Sequence, residues 1–334
     1  MSYDTIIKTL LGGELMKRYA QIANFNIVFG EEEKPMLDYF DTVIFPAFTS
    51  DIRKVSDGNE YLFMNVKISE DLGDNYILIG QFVKKTILEV KSDINEEGDL
   101  IEKNEKYSSA PYSTFAINLM NHRMIYVPNQ KGSPTLVNFR SAVKYIINSY
   151  LKEKNRTLNE NEKLEDAFIN IVGIPSANSM DELLKNVEKI NKLTLRFYPL
   201  NGDIDYSEVF GVISRDMRET VDCKRGEIVF KSPKSIDGVQ NIIEKAGGTI
   251  DPILQVTTKE KSKATLRDYE LSERYELEFD DSLELGEESS QVVKKMSNIN
   301  SLNFSNDLHK EIYEKNKGKI IPFIKDEGDE DKKL

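Results

Sequence analysis

Histidine is the commonest general base and metal ligand, and this chain has only two, His122 and His309. They lie far apart in sequence, and neither has a companion at i+2, i+3 or i+4 to set two ligands on one face. His122 sits in Asn121-His122-Arg123 between two apolar runs and reads as a solvated hairpin tip. His309 reads as a surface residue of a late helix. Cys223, in Asp222-Cys223-Lys224-Arg225, has two neighbouring cations that favour a thiolate, but no nearby His to pair with it. No GxSxG elbow, Walker loop or GxGxxG fingerprint occurs. Gly247-Gly248 follows an apolar helical face and therefore reads as a helix stop, not a phosphate cradle.

One carboxylate set has the spacing of a metal-dependent nuclease. Asp74 opens a predicted strand and Glu89-Val90-Lys91 closes the next. Two acids could hold a divalent ion while the lysine positions the attacking water. The plainer reading is a solvent-facing charge pair at a strand end, because Glu-x-Lys recurs elsewhere, as at Glu32–Lys34.

The basic residues point elsewhere. The chain carries a net charge of −12, yet Lys131 to Arg267 holds 22 Lys and Arg against 19 Asp and Glu, an excess of about +3. Three clusters stand out: Arg140, Lys144, Lys152, Lys154 and Arg156; Lys224, Arg225, Lys231 and Lys234; and Lys259, Lys261, Lys263 and Arg267. Such side chains can bind phosphates without sequence-specific geometry. Tyr198, Tyr269 and Tyr275 could stack on single-stranded bases. The competing reading is a set of solvated charged faces with acids interleaved.

Bulk composition narrows the class. In 334 residues, 39% are hydrophobic and 31% charged, the balance of a globular chain. A single cysteine excludes an internal disulfide and any thiolate metal cluster, and with no metal or nucleotide motif standing out, neither a metal nor a cofactor is expected. That usage predicts a reducing, cytoplasmic setting. The opening MSYDTIIKTLLGGELMK carries Asp4 early and Lys8 inside its apolar run, unlike a signal peptide. No run approaches 18 apolar residues, so membrane insertion is not expected.

The elements that must position these residues suggest an α+β protein. An N-terminal unit, 1–160, reads as a short helix at Ile6–Leu11 followed by a mainly antiparallel sheet. Its strands are predicted at Phe25–Phe29, Thr42–Phe48, Tyr61–Ile68, Tyr76–Phe82, Thr86–Lys91, Phe115–Met120 and Met124–Val127. A helix capped by Ser133, with Pro134 at its first position, carries an apolar face of Leu136, Phe139, Val143, Ile146, Ile147 and Tyr150. A polar linker at Lys152–Lys163 leads to a smaller α/β unit, 161–280, with helices packed on a mixed sheet.

Strands of this second unit are predicted at Ala167–Val172, Leu193–Tyr198, Glu227–Lys231 and Pro252–Thr257, with two or three more by Phe279. Helices open at Ser179, Asp205 and Ser235, the first with its core face running from Met180 to Ile190. An acidic extension, 281–334, carries a short helix near Leu308–Tyr313 and a tail, 327–334, expected to be disordered.

Two passages bear a likeness. Tyr112–Ile147 runs YSTFAINLMNHRMIYVPNQKGSPTLVNFRSAVKYII, and Ile253–Phe279 runs ILQVTTKEKSKATLRDYELSERYELEF. Their order resembles the RexA-type phage-exclusion proteins and related prophage and defence-island proteins, with Leu266–Glu273 (LRDYELSE) the most similar run. The resemblance covers about a third of the chain and implies a cytosolic homodimer that binds DNA with little sequence preference and blocks phage growth. It supplies no catalytic residues, and the acidic total charge departs from the pattern.

Three functions are thus in contention. The first is a non-enzymatic antiphage protein binding nucleic acid through Lys131–Arg267. The second is a module that senses a phage or host protein, or a second defence-system protein, through the aromatic-rich N-terminal sheet. The third is a nuclease using Asp74, Glu89 and Lys91.

Overall fold

Residues Leu15–Phe29 extend as β1, the strand on which the larger sheet is built, and from Ile22 to Phe29 every side chain is buried, Asn24 and Asn26 included. The computed structural model describes residues 15–70, 75–202, 217–280 and 285–324. Strands β2 (Lys34–Pro35), β3 (Lys54–Ser56), β4 (Asn59–Glu70), β5 (Tyr76–Ile94), β6 (Leu100–Ser109), β7 (Tyr112–Asn118) and β8 (Arg123–Pro128) follow in chain order. With β9 (Ala167–Gly173) and β14 (Arg274–Asp280) they form one antiparallel sheet whose main order is β14-β1-β8-β7-β5-β4-β3. The protein is α+β, as its composition of elements predicted.

Strand β9, predicted to open the second unit, pairs along Ala23–Phe29 of β1, and β14 pairs along Leu15–Gln21. Chain from both sides of the polar Lys152–Lys163 run therefore contributes to this sheet. The helix and tail predicted at Ile6–Leu11 and 327–334, and the helix predicted after Asp205, lie outside the described residues.

The sheet is covered on both faces, which explains why Tyr76–Val83 is buried at every position. On one face lies α1 (Leu136–Asn155), capped by Thr135 with Asn138 in a reciprocal capping box. The predicted Ser133 cap instead donates to Tyr112 O at 2.6 Å and accepts from Gln130 N. The apolar stripe of α1 centres on Phe139, whose ring meets Phe115, Tyr126, Phe82 and Phe63 at 5.2 to 5.7 Å. On the other face, Val292, Val293 and Met296 of the later helix Leu285–Met296 pack against Ile22, Ile79 and Ile125.

A second sheet, ordered β11-β10-β12-β13, comprises β10 (Val187–Phe197), β11 (Gly226–Lys231), β12 (Asp251–Thr258) and β13 (Lys263–Arg267). Its ladders are all antiparallel, where a mixed sheet was expected. The reason is topological: β11 and β12 run parallel to each other but flank β10 instead of pairing, a split β-α-β arrangement. Two helices, α2 (Ala177–Leu184) and α3 (Ile236–Ala246), cover one face through Met180, Leu184, Val239 and Ile243. Ser176, not Ser179, caps α2, and Val187 and Ile190 belong to β10 instead of extending the helix.

Thr42–Phe48, predicted as a strand, is helical: a π turn at Phe40–Ile44 runs into an α turn at Phe45–Phe48. Helix α4 (Leu285–Met296) precedes α5 (Asp307–Ile320). His122 is fully buried, as is His309, with their rings edge-on at 5.8 Å. Both were expected at the surface. The C-terminal segment closes over the β7–β8 turn, with Asn121 Nδ2 donating to Leu302 O and Phe304 O. No described helix is long and apolar enough to cross a membrane.

Candidate nucleic-acid interface

Strand period decides what the uncovered face of the second sheet presents. In β10, Leu193, Leu195 and Phe197 point into the core, so Lys192, Thr194 and Arg196 face outward. Cross-strand register extends this face in rows. Lys231, Lys192, Gln255 and Thr265 form one; Val229, Thr194, Ile253 and Arg267 the next, its central Thr194 and Ile253 buried; and Glu227, Arg196 and Asp251 the last. Lys263 shares the face two residues before Thr265. Lys192 lies directly opposite Lys231, and like charges in such a pair repel unless something anionic covers them.

The last row opens into a cleft of about 530 Å³ between this sheet, β9 and α1, lined by Lys144, Arg196, Arg225, Glu227 and Asp251 among others. Lys144, half-buried on α1, has its pKa held below the ordinary lysine value. Burial is the main cause, followed by repulsion from Arg225 and Arg140, with Asp251 acting in the opposite sense. Asp251 is pushed up, first by burial and then by Asp268, against the pull of Arg140, Arg196 and Arg267. Positive charge thus outweighs negative in a partly desolvated cleft, the condition for holding an anion. Glu227 and Asp251 confine that preference to the side near Lys144 and Arg225.

The structure sorts the predicted basic residues into groups. Lys144 and Arg225, from two different clusters, come together in the cleft, while Lys231, Lys263 and Arg267 join them on the open face. Arg140 is locked to the buried Asp268, which also accepts from Gly173 N at 2.9 Å. Lys224 pairs with Glu31 at 3.2 Å and Lys261 with Glu188 at 2.5 Å. Lys234 and Lys259 are exposed away from the cleft lining.

Lys152 lines a groove along α1 with Lys54, Ser141, Lys144, Tyr145 and Asn148. Arg156 lines its continuation, and Lys154 lies over the Tyr150 ring. Of the predicted stacking residues, Tyr198 is buried and donates to Gly248 O at 2.8 Å, whereas Tyr269 and Tyr275 are half-buried. Tyr145, 48% exposed beside Lys144, was missed. Its signal was present in its place on the polar side of the α1 pattern. Lys192 and Arg196 were also missed, although their alternation with Leu193, Leu195 and Phe197 marks them.

Asp74, of the nuclease triad, lies outside the described residues. Glu89 and Lys91 lie on the exposed distal half of β5. Glu89 is ion-paired across to Lys106 of β6 at 2.7 Å, and this pairing holds its pKa down. Among the described residues, no three His, Cys, Asp or Glu side chains gather closely enough to hold a metal ion. No protein-family model and no curated protein matches the chain.

Proposed function

We propose that the protein binds nucleic acid, DNA in the first instance, through the open face of the second sheet and the adjoining cleft, without catalysis and with little sequence preference. The observation that carries this reading is the convergence of Lys144 of α1, Arg225 before β11, and Lys192 and Arg196 of β10 on one surface from three separate stretches of chain, Arg196 sharing its charge with Glu227 and Asp251. Flexible ammonium groups and guanidinium forks on a sheet surface suit phosphates repeated along a backbone. A role in antiphage defence rests on the resemblance of Tyr112–Ile147 and Ile253–Phe279 to the phage-exclusion family.

A labelled oligonucleotide titrated by fluorescence anisotropy over a salt series tests the binding. With about five phosphate contacts, log K should fall against log salt with a slope of about −4. Sequence-scrambled oligonucleotides should bind within about twofold of each other, since backbone contacts carry no sequence information. Absence of binding at low salt, or binding indifferent to salt, would contradict the reading.

A further inference from the structure

Strand β5 runs unbroken for 19 residues, but only its first half belongs to the body of the sheet. From Thr86 onward it pairs with β6 alone, in a ladder from Thr86–Ser109 to Ile94–Leu100. The ribbon is about 30 Å long at the usual strand rise. Every residue of β6 from Leu100 to Ser108 is exposed. A two-stranded ribbon with nothing on either face is marginally stable in water.

The faces of this ribbon differ. Register and pleat place Leu88, Val90 and Ile94 of β5 with Leu100 and Tyr107 of β6 on one side. Of these, Leu88, Ile94, Leu100 and Tyr107 are 56%, 67%, 77% and 47% exposed. Glu105, opposite Val90, and the Ser92–Glu102 pair share this side. They separate a Leu88–Tyr107 patch near the base from an Ile94–Leu100 patch near the tip. Exposed apolar residues so grouped mark a contact surface. The tip is acidic: 93–102 contains Asp93, Glu96, Glu97, Asp99 and Glu102 and no Lys or Arg. Such a tip repels phosphate, so the arm does not extend the nucleic-acid surface.

The surface that complements it is on the same chain. The open face of the second sheet presents Lys192, Arg196, Lys231, Lys263 and Arg267, with Lys144 and Arg225 beside it. At its edge lies the apolar Val229, 38% exposed. We propose that the β5–β6 arm is a self-association device. Its acidic tip and apolar patches dock on the cationic sheet face of a second copy, and the reciprocal contact closes a two-fold dimer. The docked arm occupies the surface assigned above to nucleic acid, so self-association and polyanion binding compete. The dimer itself does not depend on the nucleic-acid reading.

Sedimentation equilibrium of the full chain without nucleic acid tests this. The wild type should dimerise at low salt and dissociate as salt rises. The triple variant Glu96→Lys, Glu97→Lys, Asp99→Lys, confined to the exposed arm turn, should weaken the dimer at least about tenfold. Lys192→Glu with Lys231→Glu, on the exposed sheet face, should do the same. An equimolar mixture of the two variants should recover dimer, because the reversed charges are again complementary. A wild type that stays monomeric, a dimer indifferent to arm-tip reversal, or a mixture that fails to recover would each overturn the proposal. Intact oligonucleotide binding in the monomeric arm variant would leave the nucleic-acid reading standing on its own.

Discussion

Asp268→Ala is expected to destabilise the protein by about 3–5 kcal/mol, read as a shift in the urea midpoint with little change in m. Asp268 is 2% exposed, and its carboxylate serves two donors at once. It takes both guanidinium arms of Arg140 on α1 and the Gly173 amide at the end of β9. Alanine leaves a mostly buried cation without its counter-charge and a buried amide without an acceptor. Asp268→Asn keeps a carbonyl for Gly173 and should lose less. Removing Arg140 alone strands the carboxylate instead. The Arg140→Ala, Asp268→Ala double variant should therefore cost clearly less than the two single losses added together. Additive losses would show that the pair does not tie α1 to the second sheet.

Phe139→Ala should cost a similar amount, about 3–5 kcal/mol. Its ring is fully buried where residues from β1, β4, β5, β7 and β8 converge. The β-strand partners are anchored in one sheet and cannot collapse into the space, so most of the cavity persists. Val137, two residues away on the outer side of the same helix and 41% exposed, provides the contrast. Val137→Ala should change stability by less than about 0.5 kcal/mol. Chemical denaturation of both variants checks the pair, and equal losses would contradict the placement of α1.

Where one side of an element is buried, its pattern was readable. Helix α1 declared itself through Leu136, Phe139, Val143, Ile146 and Ile147. Helix α3 did so through its Ser235 cap and its Gly247 stop, which has a left-handed φ of 52°. At Val43–Phe48 (VIFPAF) the signal was ambiguous, because a short apolar run fits a strand as well as a helix. Exposure on every side erased it at β6, because LIEKNEKYSS buries no face and so shows no useful period.

Distant partners misled the reading of His122, whose surroundings come from residues some 180 positions later. The site was half legible. The basic residues could be counted, but which were neutralised depended on Asp268, Glu31 and Glu188, whose positions only the fold reveals.

The central claim is that the cleft and open sheet face, and not bulk charge, hold the polyanion. Oligonucleotide affinity at fixed low salt tests it in two double variants with equal charge change. One is Lys144→Gln with Arg225→Gln in the cleft; the other is Lys234→Gln with Lys310→Gln at exposed positions outside it. The cleft variant should lose at least about tenfold, with a salt slope shallower by about 1.5, and the other should stay within about twofold of wild type. Equal losses in both, or none in the cleft variant, would contradict the assignment.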